Sequence, residues 1–230
     1  MAIMQKKHSS EEDSGNIFWV TMSDLMLGLA IIFITLFVLA MTGFNQKTVQ
    51  QQRLKMEVAK KIEGELQRQH INAQVDLMTG DLEIPSSALF EVNSYILKPE
   101  GKKFLDELTP IYVNTIFSNP KLAENIDSII IEGHTDSQAF AGLKNINDQF
   151  VYNMDLSAKR ATSVAAYMLK SKYNPEYNDE FRHKITVEGR SFNDLILDAN
   201  GNEDMAKSRR VEIKLKVADW SLATFFGLKK

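Results

Sequence analysis

Three groups of side chains in the sequence have the types and spacing to do chemistry. The first centres on Asp24, the one acid inside "VTMSDLMLGLAIIFITLFVLAMTGF". Residues 25–43 carry no charge, and the uncharged zone covers residues 17–44 once Asp24 is allowed inside it. A charge within a bilayer costs about 2.5 kcal/mol or more, so such residues face protein or a water-filled interior. Thr21, Asp24, Gly28, Thr35 and Thr42 are 3, 4, 7 and 7 residues apart, which lays them along one helical stripe. Two readings follow: a hydrated acid near the membrane interface, or a carboxyl that takes up and releases protons. The second group is "EGHTD" and "NMDLSAKRA". Ser157 is a good helix N-cap, which would put Ala158, Lys159 and Arg160 in a first turn. Cations there oppose the helix dipole unless an anion also binds. Asp136 supplies the opposite charge, so the pair suits a zwitterion with ammonium and carboxylate; a plain Asp136–Arg160 salt bridge or a solvated face fits the residues equally. The third group is Glu132, His134 and Asp136, which alternate along a strand end and are able to act as metal ligands or an acid–base set. No HExxH, GxSxG or phosphate-loop pattern accompanies them, and His8, His70 and His183 stand alone, so neither catalysis nor a metal is expected.

These groups need elements to hold them. Residues 17–44 are long enough to span a hydrocarbon core of about 30 Å, and the preceding "EEDSGN" does not fit a cleaved signal peptide, which has a basic flank and a shorter apolar run. Residues 45–70 are polar and free of proline, with Val49, Leu54, Val58, Ile62 and Leu66 forming a narrow apolar seam. That seam fits a helix paired with its own copy or a solvated spacer. Further on, "AQVDLMTGDLEIP" predicts a hairpin around Thr79-Gly80, "PEGKKFLDELTPIYVNTIF" a helix starting at Pro99, and "IDSIIIEGHTD" a strand ending in a polar turn. "LSAKRATSVAAYMLKSKY" reads as a helix and "HKITVEG" as a strand, while "RRVEIKLKV" places Val211, Ile213, Leu215 and Val217 on one face of a last strand. Alternating strands and helices predict a sheet with helices on one side, and residues 71–217 suffice for one core. The expected organisation is a tail at residues 1–16, a single N-terminal transmembrane helix at 17–44, a helical linker at 45–70, an α/β domain at 71–217 and a C-terminal tail at 218–230.

Bulk composition excludes little but is consistent. A formal net charge of -3 offers no basic field for nucleic acid. The absence of cysteine excludes disulfides and thiolate metal sites. Lys6 and Lys7 on one side of the span, against Lys47, Arg53 and Lys55 on the other, slightly favour a cytoplasmic C-terminal side.

The tryptophan, short gap, Asp24 and "LMLGLAIIF" resemble the transmembrane helix of flagellar stator B subunits and their relatives. The resemblance implies that Asp24 carries the ion, a proton, with Thr21, Gly28 and Thr35 lining its path and no other cofactor. "GHTD", then "N..LS..RA..V..YM", then "RRVEI" resemble the peptidoglycan-binding domain of outer-membrane protein A and of stator B subunits, an α+β sandwich. By that resemblance Asp136 and Arg160 clasp the diaminopimelate of the wall peptide and Asn153 lines the site, with Thr135 and Leu156 beside them. Two departures stand out: the stretch between Asp136 and Asn153 is long, and Ser208 stands where asparagine often precedes "RRVEI". A wall-binding domain lies outside the inner membrane, so the resemblance overrules the charge count and implies a cytoplasmic N-terminus. The whole pattern is most similar to the stator-B-like subunits of Zorya anti-phage defence systems. It implies a homodimer inside a ring of multi-span partner subunits; the alternatives are a flagellar-type stator subunit and a passive tether between membrane and wall without ion conduction.

Overall fold

The computed structural model describes residues 5–69, 71, 73–138 and 142–217; the expected tail at 218–230 lies outside them. The chain divides into two compact units, the second beginning at Gln51. Helices are α1 (Gln5–Arg68), α2 (Ser86–Leu89), α3 (Pro99–Phe117), α4 (Pro120–Asn125), α5 (Ile146–Met168), α6 (Asn178–Lys184) and α7 (Met205–Ser208). Strands are β1 (Gln74–Val75), β2 (Leu82–Pro85), β3 (Ile126–Gly133), β4 (Ile185–Gly189) and β5 (Arg210–Val217).

In the first unit, residues Ile17–Thr42 form 26 residues of helix long and apolar enough to cross a membrane, or about 39 Å at 1.5 Å per residue. Its Leu, Ile and Phe side chains are exposed throughout. The hydroxyls along it are absorbed by the helix itself. Thr21 donates to the carbonyls of Ile17 and Phe18, Thr35 to Ile31 at 2.7 Å, and Thr42 to Val38 at 2.8 Å. Each threonine hydroxyl thus finds its acceptor within the helix.

The second unit is a five-stranded mixed sheet in the order β1-β2-β5-β3-β4. All its neighbouring pairs are antiparallel except β3 and β4, which need a crossover, and α5 supplies it. Alternation along the strands sends Leu82, Ile84, Ile129, Ile131, Val211, Ile213 and Leu215 to one face, all buried. Leu105, Leu108, Tyr112 and Ile116 of α3 and Val164 and Met168 of α5 close over it as a single core. The hairpin, the helix opening at Pro99 and the last strand match the sequence expectation.

Two expectations are corrected. The helix predicted from Leu156 opens at Ile146 instead, capped by Asn145, whose side chain accepts from Asn147 N at 2.8 Å. Ser157 is therefore no cap: its hydroxyl donates to Met154 O and accepts from Ser191 N. The linker seam does not stand free either. Val58, Ile62 and Leu66 are each 1% exposed and belong to the same core as the sheet, Leu54 is half-buried, and only Val49 is open. An apolar seam is satisfied by any apolar face, and here that face is the chain's own domain. Val58→Cys in this cysteine-free chain should give no oxidative cross-link between copies. Ile62→Ala should cost about 2–4 kcal/mol of domain stability, read as a lowered denaturant midpoint; a ready cross-link with an unchanged midpoint would overturn the docking.

Candidate functional site: a charged cleft at the strand ends

A cavity of about 470 Å³ opens beside the carboxyl end of β3. One wall is the segment running from α2 to the start of α3, with Ser86, Phe90, Glu91, Asn93 and Lys98. The opposite wall is α5, with Tyr152, Asn153, Leu156 and Arg160; Thr135, Asp136 and Arg209 lie between. The structure thus brings together all five residues expected at the wall-binding site, and it adds Arg209, Phe90 and Lys98, which sequence reasoning missed.

The position of α5 is set by glycine. A Cβ on Gly133 would sit 2.1 Å from Ser157 O, and one on Gly189 would sit 2.7 Å from Met154 O. The helix therefore lies directly on the ends of β3 and β4, at a distance that only glycine allows. Ser191, in the left-handed region at φ 55, fastens the junction: its hydroxyl donates to Phe150 O and its carbonyl accepts from Thr135 N.

Arg160 is 4% exposed, a correction to its expected place in a first helical turn. Its Nε donates to Ser94 O at 2.9 Å and its guanidinium lies 5.5 Å from the centre of the Phe90 ring. Among the described residues no acceptor takes its terminal nitrogens, which are left to the cleft. Burial and the nearby Arg209 charge pull its pKa down, against the pull of Asp136. Asp136 does not pair with Arg160. It accepts from Arg209 Nη1 at 2.8 Å, while burial raises its pKa, Arg209 opposes and Glu203 adds to the rise. Lys159, by contrast, is an exposed partner of Asp155 at 2.7 Å. Asn153 is buried and donates to Gln149 O, and Leu156 offers the cleft an apolar surface. Ser208 is fully buried and its hydroxyl accepts from Ile196 N at 3.0 Å, so it anchors a loop and does not line the cleft. The lengthened stretch after Asp136 contributes Gln138 to the rim; residues 139–141 are outside the described set.

The third group resolves differently from its expected face. Glu132 and His134 meet Glu212, not Asp136. The register aligns Glu188, Glu132, Glu212 and Glu83 in one row across four strands, on the face opposite the core. Like charges directly opposite repel, and Lys214 relieves them, with Nζ 2.6 Å from Glu132 and 2.8 Å from Glu212. Arg210 adds a second cation on Glu212. The ammonium stands where a divalent ion would have to bind, so a metal at Glu132, His134 and Glu212 requires displacing Lys214.

The chain belongs to the OmpA family, whose model matches residues 89–209, more than half of its length. Within that class it is similar to Zorya protein ZorB of Escherichia coli (Crooks strain), 29% identical over 91% of this chain and 92% of the relative. A second Zorya protein ZorB, from Escherichia coli O139:H28, is 24% identical over 98% of this chain and 87% of the relative. Among solved structures, a putative MotB like protein from Desulfovibrio vulgaris shares the fold at TM-score 0.53, with 21% identity over 77% of this chain and 98% of that one.

The ionic row carries a pH prediction. Burial pushes the Glu132 carboxyl up, but His134 and Lys214 outweigh it and hold its pKa at about 2. A depressed acid stabilises the fold above its unfolded pKa, and that stability is lost as pH falls from about 4.5 toward about 2. The shift corresponds to at most about 3–4 kcal/mol. Glu132→Gln should lower stability at pH 7 and flatten its decline below pH 4.5; parallel acid-unfolding curves for parent and variant would refute the assignment.

Proposed function

We propose that the second unit holds the peptidoglycan stem peptide in the charged cleft, and that the chain is the wall-anchored B subunit of a proton-driven inner-membrane motor of the Zorya type. The observation that carries the wall reading is Arg160: a buried guanidinium whose terminal donors have no acceptor among the described residues, beside a carboxylate only partly covered by Arg209. Uncompensated buried charge is costly. An incoming carboxylate on Arg160 and an incoming ammonium on Asp136 would relieve both, and the diaminopimelate of the wall carries both groups. OmpA-family membership and similarity to Zorya protein ZorB over nearly the full length support this reading. The role is one of binding and anchoring, without a catalytic step.

The ion-carrying half rests on Asp24. At about 100° per residue, Thr21, Asp24, Gly28, Thr35 and Thr42 fall within about 60° of arc, amid exposed apolar side chains. In this reading two copies place their Asp24 carboxyls inside a ring of multi-span subunits, with the N-terminus cytoplasmic and the cleft periplasmic. The pairing of copies lies in the membrane segment, because the seam at Val58, Ile62 and Leu66 is already occupied.

Two experiments test the halves separately. Asp136→Asn should reduce retention on purified sacculi at least tenfold, since a lost hydrogen bond to a charged group is worth about 1.5–3 kcal/mol, with an unchanged melting temperature. Parent-like retention would sink the wall reading. Asp24→Asn should leave membrane insertion and sacculus binding intact and abolish protection against phage; full protection would leave a passive tether.

A further inference from the structure

We infer that Arg209 is a third arm of the cleft: a stand-in for the ligand's ammonium on Asp136 when the cleft is empty, and a partner for a ligand carboxylate when it is filled. The inference rests on the wall-peptide reading above and adds a requirement on the ligand's charge. Arg209 has a fixed backbone and a free end. Its carbonyl accepts from Ser86 N at 2.9 Å and its amide donates to Met205 O at 3.2 Å, yet its side chain is 42% exposed. Its one ion partner among the described residues is Asp136, which is 10% exposed at the side chain. A carboxylate that deep is disfavoured without a cation, so the empty site keeps one.

Filling the cleft changes the charge count. A ligand ammonium that takes Asp136 displaces the Arg209 guanidinium, which then joins the unpaired terminal nitrogens of Arg160. Two guanidiniums facing one another across a bound ligand repel unless negative charge lies between them, and each presents a fork suited to a carboxylate. Lys98 also lines the cleft, its ammonium held on Ser87 O at 2.6 Å, and as a point charge it offers no fork to a carboxylate. The preferred ligand is therefore a diamino-acid residue with its ammonium and its carboxylate both free. The same residue with an amidated carboxylate brings the two cations no negative charge.

The test uses the full chain in detergent and two soluble muropeptides, one with the diaminopimelate carboxylate free and one with it amidated. The parent should prefer the free acid by about tenfold, the scale of a charge-assisted contact. Arg209→Gln should lose most of that preference, binding the free acid more weakly and the amide as well as the parent does or better, because the stand-in is gone. Arg209→Lys should restore part of the preference. An Arg209→Gln variant with parent-like affinities for both peptides, or one weakened equally for both, would overturn the inference. Asp136→Asn serves as the control: if it binds both peptides as the parent does, the wall reading itself falls, and the inference with it.

Discussion

The cleft depends on a contact between backbones. Where α5 crosses the ends of β3 and β4, Gly133 and Gly189 leave no room for a side chain, and the helix rests on main-chain atoms. A helix held off by even one methyl layer would carry Asn153, Leu156 and Arg160 away from Thr135 and Asp136. The charges that form the site come from elements far apart in sequence, and the two glycines bring them to one opening. Ser157 and Ser191 then fix the rotation of the helix by hydrogen bonds, so spacing and orientation are set by different residues.

The sheet divides its labour between faces. Toward the helices it is aliphatic, and burial there supplies the cohesion of the domain. On the other face four glutamates stand in a row, and the central two, Glu132 and Glu212, are held by Lys214 and Arg210. "RRVEIKLKV" encodes both faces at once: its even-spaced aliphatics build the core and its alternate charges build the row. Arg209, one residue before β5 begins, escapes this alternation and reaches the cleft.

Much of this was legible in the sequence wherever a period or a fixed φ spoke. Proline at the first turn located α3, and period-two alternation located β5. Thr135 and Asp136 of "GHTD" and Arg160 of "RA" did converge on one cleft, while His134 turned to the glutamate row. What was hidden depended on competition between equivalent signals. Ser157 has the chemistry of a cap, but Asn145, followed three residues later by Asp148, caps earlier and leaves Ser157 inside the helix. Asp136 had two arginines to choose from, and spacing along the chain does not rank Arg160 against Arg209. The seam at Val58, Ile62 and Leu66 was visible as a seam, but apolar spacing names no partner.

That seam has a practical bearing on where the chain can be cut. The composition changes at residue 45 and the first strand begins at Gln74, so the eye places the domain edge near residue 70. The core begins about a dozen residues earlier, at Val58. A soluble fragment opened at residue 71 would keep the cleft and every strand, yet would uncover the aliphatic floor on which three side chains of α1 lie, and would offer that floor to its neighbours in solution. A fragment opened at residue 51 carries its own cover.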